Sequence, residues 1–240
     1  MGYGLFRGNG GMALLSRVPI NVAGVQDFTT LLWRDLPEAR LPQIDGQPFP
    51  SAEAQAAQRL ASSGFWIIPM RPENEPPFAL LASAATTPAF DGPEDRNGRR
   101  NRDEIRFWSL YLDGVFGPPP ETFVIAAKLN ADPVDGDSDH TAIRALLSDP
   151  RLYDPLPASL GGALAADAGH LGDPALDTAA WPGSPQGNLR VSYVLPSSAG
   201  WDVVGSGVNW PTDGTLGPDG QAAGPHRLVW VDISSAAKRP

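Results

Sequence analysis

Short apolar runs separated by proline-rich connections limit what this chain can fold into more than any other feature. Residues 65–70 and 78–83 form two such runs, and the connection between them contains Pro72, Pro76 and Pro77. Because proline cannot donate a hydrogen bond to a strand ladder, the pattern predicts two antiparallel strands joined by a broad turn. Similar runs predict further strands at 12–15, 123–130, 189–195, 203–210 and 226–233.

The clearest helical signal lies between residues 101 and 112. Trp108 and Leu112 fall on one face at helical spacing, and Asn101 followed by Glu104 has the form of a capping box. The pattern therefore predicts a helix over 101–112 that begins at Asn101.

The remaining elements are shorter. A helix is predicted over 141–147, with Ser138 or Asp139 as its N-cap. Residues 51–63 fit a short helix or a loop, and the Gly-, Ala- and Pro-rich residues 148–187 predict a long loop. Strands interleaved with few helices are typical of a layered α/β or α+β domain. A length of 240 residues, 42% of them apolar, suits a single domain over residues 1–240.

Composition excludes several classes of function. The chain has no cysteine, which removes disulfides, thiolate chemistry and cysteine-based zinc sites. Its formal charge of −9 opposes simple binding to nucleic acid or anionic lipid. No apolar run is long enough to span a membrane. The first 10 residues contain no apolar signal core, so the chain as written is expected in the cytoplasm. If another segment precedes Met1, the alternative is a secreted or periplasmic protein.

Several motifs in series carry a resemblance that covers nearly the whole chain. They are GMALLSR at 11–17, FDGPEDRNGRRN at 90–101, DEIRFW at 103–108, LNADP at 129–133, YVLPS at 193–197 and HRLVWVD at 226–232. Their order and spacing resemble a bacterial branch of the endonuclease/exonuclease/phosphatase superfamily, which has a DNase I-like fold. The resemblance implies a four-layer α/β/β/α sandwich of two mostly antiparallel sheets. It also implies phosphoester hydrolysis assisted by a divalent cation, at one end of the sandwich.

One polar position of that family is replaced by a cation in this chain. Where the family has Gly-Asp-x-Asn at a strand end, residues 127–130 read Ala-Lys-Leu-Asn. Asn130 is therefore kept, but Lys128 stands in place of the carboxylate that would hold a water or a metal. An ammonium group repels Mg²⁺, which prefers oxygen ligands.

Other polar positions are substituted as well. The family's terminal Ser-Asp-His reads Gly-Pro225-His226 here, so His226 is kept without the acid that orients it. Ser192 stands where the family often has an aspartate, and Ala84 stands where a histidine often follows the strand. The family's opening strand, and the glutamate that binds metal, would lie upstream of Met1.

These substitutions predict a relative that is catalytically impaired or inactive and has a binding or structural role. His226 and Asn130 are interpreted as remnants of a catalytic site, and no cofactor is expected. The alternative is an active Mg²⁺-dependent phosphodiesterase or nuclease with a phosphoester substrate, completed by an N-terminal segment or a partner chain. An enzyme deliberately stripped of its polar residues is a third reading. No membrane partner is expected, and sheet edges left open by missing strands predict either a repacked sheet or self-association.

An acidic turn is a further candidate site. Asp135, Asp137 and Asp139 resemble the start of a calcium loop, but His140 and Leu146 stand where that loop needs Gly and Glu. The favoured interpretation is a solvated turn that caps the following helix.

Three arginines close to the family's catalytic face have two open interpretations. Arg96, Arg99 and Arg100 either contact a phosphate group of the substrate or belong to an ion-pair network that fixes a long loop. His140 and His170 are expected to be solvated in loops. Six tryptophans are expected to pack in or between layers: Trp66, Trp108, Trp181, Trp201, Trp210 and Trp230.

Overall fold

The chain forms an α/β sandwich, seen in a computed structural model that describes residue 6, residues 10–213 and residues 224–236. Except for Phe6, the first nine residues, which bear on the expected compartment, lie outside the described residues. The strands are β1 (Gln26–Asp27), β2 (Gln43–Ile44), β3 (Gln47–Pro48), β4 (Phe65–Met70), β5 (Phe78–Ala84), β6 (Phe123–Lys128), β7 (Ala179–Trp181), β8 (Gly187–Leu189), β9 (Ser192–Pro196), β10 (Trp201–Asn209) and β11 (Leu228–Ser235). The helices are α1 (Ala52–Ala57), α2 (Arg96–Leu112), α3 (His140–Leu147) and α4 (Leu160–Leu164), with 3-10 turns at Val22–Gly24, Trp33–Asp35 and Pro174–Leu176.

The main sheet has five strands in the order β1-β4-β5-β6-β9. Strands β4 and β5 pair antiparallel, from Phe65 opposite Ser83 to Met70 opposite Phe78, which confirms the predicted strand pair. Strands β5 and β6 are parallel, so the chain must cross over between them, and helix α2 makes that crossover. Strand β9 pairs antiparallel with β6 at the other edge.

One face of this sheet is closed by α2. In register across four strands, Ile67, Leu81, Ile125 and Leu195 are each at most 3% exposed. Aromatic rings fill the space between this face and the helix: the rings of Phe65 and Phe107 stack with centroids 4.2 Å apart, and Trp108 meets Phe65 edge-on. The indole Nε1 of Trp108 donates to Ser83 Oγ at 2.9 Å, so this large side chain is buried with its polar atom satisfied.

The opposite face of the same sheet is only partly covered. One row of paired residues on this face is half-buried throughout; it consists of Trp66, Ala82, Ala126 and Val194. A two-stranded antiparallel ribbon, β10 with β11, contributes to this side. Trp201 of the ribbon donates from Nε1 to Phe123 O at 3.0 Å and meets Phe78 edge-on.

The predicted start of the long helix was wrong. Helix α2 begins at Arg96, after Asp95, so Asn101 and Glu104 lie inside it and form no capping box. The Nδ2 of Asn101 instead donates to Thr86 O and Leu129 O, and the carboxylate of Glu104 accepts from the backbone N–H groups of Ser62 and Thr86. Both side chains are fully buried, and their hydrogen bonds hold backbone groups of loops at the sheet's end.

Two predicted strands also differ from the structure. Residues 12–15 form no strand and have no ladder partner among the described residues, and the side chain of Leu15 is 90% exposed. The predicted strand 189–195 is divided into β8 and β9. It breaks at Arg190, whose guanidinium pairs with the Asp154 carboxylate at 2.6 Å.

The other predictions differ less. Helix α3 begins after Asp139, as predicted, because Asp139 Oδ1 accepts from Thr141 N at 2.9 Å. The predicted loop 148–187 contains α4, a 3-10 turn and β7. In the part of the chain that is described, no helix combines the length and apolar character needed to cross a bilayer.

Candidate functional site

Three of the substituted polar positions lie side by side at one end of the main sheet. The register pairs Ala84 of β5 with Lys128 of β6, and Lys128 with Ser192 of β9. Paired residues point to the same face, and these three continue the partly covered face of the sheet. The structure therefore brings together positions that lie far apart in the sequence, with Lys128 in the middle.

Lys128 is a half-buried cation without a close acidic partner. Within the described residues, no hydrogen bond or ion pair reaches its ammonium group. Burial lowers the pKa of Lys128, and the more distant carboxylate of Glu104 acts in the opposite direction. The site thus contains a positive charge that no neighbouring carboxylate neutralises by direct contact.

Asn130 follows Lys128 at the point where the chain leaves β6. Its backbone has a φ of 51°, a left-handed conformation that asparagine tolerates better than most residues. The side-chain Nδ2 donates to Ala85 O at 2.8 Å and to Thr87 Oγ1 at 3.3 Å. Asn130 therefore ties the loop after β5 to the loop after β6.

His226 lies next to the start of β11, and its ring meets that of Trp181 edge-on at 5.6 Å. The backbone around it is fixed by a bridge between Ala179 and His226 and by a hydrogen bond from Ala180 N to Pro225 O. Partial desolvation of the imidazole, together with the positive charges of Lys128 and Arg227, lowers the pKa of His226 to about 4, although the residue as a whole is exposed. The imidazole is therefore neutral at physiological pH.

Asn130 and His226 line the same cavity, which has a volume of about 210 Å³. Its walls combine apolar surface from Phe90 and Trp181 with carboxylates from Asp135 and Asp137. Lys128 is not in the wall, but its charge acts on His226 at the cavity's surface. The charged residues of the cavity wall are therefore acidic, and the positive charge of Lys128 acts from behind the wall, on the side of His226.

The residues around this cavity do not fit a divalent cation. No group of three or more His, Asp or Glu side chains in the described parts of the chain is arranged to hold a metal. The nearest acids are already engaged: Asp132 accepts from the N–H groups of Val134, Asp135 and Arg190. Asp135 accepts from two further backbone N–H groups, those of residues 171 and 172.

The acidic turn 135–139 behaves as a capping turn. Asp139 caps α3 and forms an ion pair with Arg40 at 2.8 Å. Asp137 accepts from Gln186 Nε2 at 3.2 Å. His140 is half-buried rather than fully solvated, and its Nε2 lies 3.2 Å from Asp135 O.

The three candidate arginines belong to the first turns of α2 and do not line the cavity. Arg100 is 6% exposed and donates to the backbone oxygens of Leu60, Arg59 and Ala61, which holds a loop against the helix. Arg99 lies 3.9 Å from the Asp95 carboxylate. Arg96 is half-buried. This placement favours the network interpretation for Arg100.

Sequence reasoning missed a buried acid next to this site. Asp177 is 7% exposed, and no hydrogen bond reaches its carboxyl group from the described residues. Burial and repulsion from nearby carboxylates together raise the pKa of Asp177 to about 7; these carboxylates belong to Asp132, Asp167, Asp135 and Asp173. The sequence gives no signal for this cluster, because its acids come from different loops.

The sandwich and the motifs at its strand ends define a class of protein. The sequence profile of the Endonuclease/Exonuclease/phosphatase family matches residues 2–230, and the chain belongs to that family. Members of this family generally depend on a divalent metal. No curated protein matches the chain.

The chain is also similar to solved structures, and the first of them supports the fold. An endonuclease/exonuclease/phosphatase from Beutenbergia cavernae DSM 12333 is 17% identical, with a TM-score of 0.54, over 92% of this chain and 46% of that one. A family protein from Bacteroides thetaiotaomicron is 11% identical with a TM-score of 0.48, over 89% and 63%. The human Nocturnin catalytic domain with bound sulfate is 14% identical with a TM-score of 0.44, over 75% and 55%. The chain thus spans about half the length of the structures it matches.

Proposed function

We propose that this chain is a non-hydrolysing member of the family that binds a phosphoester-type anion without a divalent cation. The observation that carries the proposal is the position of Lys128. Its ammonium group lies in the row of substituted positions, and its charge is close enough to His226 to lower the pKa of that imidazole. A positive side chain there can attract an anionic oxygen without help from a metal.

The same arrangement argues against hydrolysis. Phosphoryl transfer requires charge stabilisation around the transferred group and a base that positions the nucleophile. His226 is neutral and could accept a proton, but no carboxylate in the described residues hydrogen-bonds to its ring to orient it. With no fitting set of metal ligands among those residues, an anion would be held here but not activated.

Binding and turnover can be tested separately. The binding probe is inorganic phosphate, followed through the ¹H–¹⁵N signals of the His226 imidazole with EDTA present. We expect phosphate to shift these signals equally with EDTA and with Mg²⁺, and we expect Lys128→Met to abolish the shift. Lys128→Arg serves as the matched control, because it keeps the positive charge.

The turnover test uses phosphodiester and phosphomonoester substrates with Mg²⁺, Mn²⁺ and Ca²⁺. We expect no turnover above that of the buffer. Metal-dependent turnover that disappears in His226→Ala would overturn the proposal. It would favour the second candidate, a metal-dependent hydrolase, which the family's general dependence on a metal supports.

A further inference from the structure

A second, smaller cavity shares Asp135 with the cavity that Asn130 and His226 line. Its volume is about 70 Å³, several times the roughly 10–15 Å³ that is needed to hold one water molecule. Its wall contains three carboxylates and one imidazole, those of Asp135, Asp167, Asp177 and His170. The other described residues of the wall are alanine, glycine and proline, so no lysine or arginine among them neutralises the acids.

Asp177 is the most deeply buried acid of this wall. It is 7% exposed, and none of the described residues donates a hydrogen bond to its carboxyl group. The other buried acids in the described part of the chain each accept at least one hydrogen bond; they are Glu94, Asp103, Glu104 and Asp132. Because burying a charge without a partner is unfavourable, Asp177 needs either a proton or a positive partner from outside the described residues.

The two other carboxylates of the wall are held in place by the backbone. Asp135 accepts from two backbone N–H groups, at 2.9 and 2.8 Å, and Asp167 accepts from one, at 2.6 Å. Two glycines leave the space that these carboxylates occupy. A Cβ atom at Gly172 would lie 2.9 Å from Asp135 Oδ2, and one at Gly187 would lie 2.8 Å from Asp167 Oδ2. The acids of the wall are therefore in position before any ligand binds.

We propose that this cavity binds the ammonium group of a primary amine, with Asp177 as its main acceptor and Asp167 beside it. An ammonium group is a compact charge whose few N–H donors can rotate to meet the acceptors, which suits a small cavity with few oxygens on its wall. The proposal does not depend on the anion proposed for the larger cavity.

Two other cations fit this wall less well. Ca²⁺ takes roughly six to eight oxygen ligands, whereas both oxygens of Asp135 already accept backbone N–H groups. Over the described ranges, no three acidic or imidazole side chains are placed to hold one metal ion. A guanidinium group is planar and rigid and carries more donors, so it needs a wider cavity and more acceptors.

The amine and a proton compete for the carboxyl group of Asp177. The titratable groups that face it are Asp132, Asp135, Asp167, Asp173 and His170. Burial and the neighbouring carboxylates raise the pKa of Asp177 to about 7, so a proton displaces the amine below that pH. A primary amine itself keeps its charge up to a pH of about 10. The affinity should therefore rise about tenfold from pH 6 to pH 8 and change little above that.

The test uses methylammonium as the probe, in a buffer that contains EDTA and no other amine. The ¹³C signal of the Asp177 carboxyl group, identified by its loss in Asp177→Asn, reports proton binding. We expect saturating methylammonium to lower the midpoint of its titration by at least about one pH unit. Binding to variants is followed through the amide signal of Gly172. Asp177→Asn should weaken binding at least about tenfold and remove its pH dependence, which distinguishes Asp177 from His170.

Asp173→Asn is the matched control. Asp173 caps the 3-10 turn Pro174–Leu176 and does not line the cavity, and asparagine caps equally well, so the affinity should change less than about twofold. Tetramethylammonium has the charge but no N–H donor and should not bind. Acetyl-lysine methylamide separates the sources of the ammonium group. If it binds as tightly as methylammonium, a lysine side chain can fill the cavity; if only methylammonium binds, the ligand is a small amine.

The wild-type chain alone can contradict the proposal, whether or not a variant folds. If its Asp177 signal titrates near the ordinary pKa of 3.8 without the probe, another group of the chain already neutralises this carboxylate. If methylammonium leaves the midpoint unchanged, or Ca²⁺ lowers it more than methylammonium does at the same concentration, the cavity is not an ammonium site. Equal binding by wild type and Asp177→Asn would lead to the same conclusion.

Discussion

The two faces of the five-stranded sheet share the same strands but differ sharply in how they are covered. On the helix side, the row from Ile67 to Leu195 is almost completely inaccessible to solvent. On the ribbon side, the next row, from Trp66 to Val194, is half-buried along its whole length. Neither row contains a charged residue, so local hydrophobicity does not explain the difference. What differs is the neighbouring layer: α2 covers one face, and a two-stranded ribbon only partly covers the other.

The largest expected contrast comes from removing one tryptophan beneath α2 and one on the outer face of the ribbon. Trp108 is 0% exposed and Trp230 is 41% exposed. We expect Trp108→Ala to lower the free energy of unfolding by about 3–5 kcal/mol, because it leaves a cavity and an unpaired Ser83 hydroxyl. We expect Trp230→Ala to lower it by only about 1 kcal/mol. Urea unfolding at low protein concentration measures both, and equal costs would mean that Trp230 is packed as fully as Trp108.

Asp177, which lies near the candidate site, should make the free energy of unfolding depend on pH. Its folded pKa of about 7 lies above the usual 3.8, so the folded chain binds this proton more tightly than the unfolded chain does. The contribution of Asp177 to the free energy of unfolding is therefore most favourable below pH 3.8, declines as the pH rises to about 7, and is constant above that. Between pH 3.8 and about 7, the free energy of unfolding of Asp177→Asn should rise by roughly 2 kcal/mol relative to that of the wild type. This is less than the full pKa shift implies, because water screens the neighbouring acids.

Unfolding curves at a series of pH values measure that difference. Glu121→Gln, which removes an exposed acid, serves as the matched control for the loss of one carboxylate. A constant offset between Asp177→Asn and wild type at every pH would mean that Asp177 does not titrate in this range.

The electrostatic coupling within the site predicts a smaller effect. In Lys128→Met, the pKa of His226 should rise from about 4 towards its ordinary value of 6.5, without reaching it, because burial is the larger cause of the shift. Arg227→Met should produce a smaller rise. NMR titration of the imidazole measures both changes. If Lys128→Met leaves the pKa unchanged, the ammonium group lies too far away to act at the cavity.

The smallest expected effect concerns the outer side of the ribbon. Leu228 is 66% exposed, so Leu228→Gln should change the free energy of unfolding of the monomer by less than about 0.5 kcal/mol. A larger loss would show that this side chain is covered in the folded monomer. Thermal unfolding at low protein concentration is sufficient to measure it.

The sequence predicted elements whose signals are local. The bounds of β4 and its pairing with β5 follow from two apolar runs and the prolines between them, and the N-cap of α3 follows from Asp139. The start of α2 was mispredicted because Asn101 and Glu104 match a capping pattern but serve distant backbone groups. Residues 12–15 carry an apolar run, yet a strand also requires a partner, and none is present in the described part of the chain.

The site was predictable only in part, for the same reason. Comparison with family motifs identified Lys128, Asn130 and His226 as positions of interest, and the last two line one cavity. The sequence could not reveal that Ala84, Lys128 and Ser192 are lateral neighbours, because this depends on strand order. It could not reveal the charge repulsion around Asp177 either, since that arises from loops folded against each other.

The parallel pairing of β5 with β6 determines where the segments that follow these two strands lie. Because β5 and β6 run in the same direction, the segments that follow them, around Thr87–Phe90 and Asn130–Asp137, emerge at the same end and form opposite walls of the cavity. The crossover helix is anchored from below by aromatic rings, and its first turn is also tied to the first of these segments, because Asn97 Nδ2 donates to Ala89 O at 2.7 Å. The turn at 135–137 makes no hydrogen bond to this helix within the described residues. Insertions or exchanges in that turn could therefore reshape what the cavity accepts while the helix stays in place.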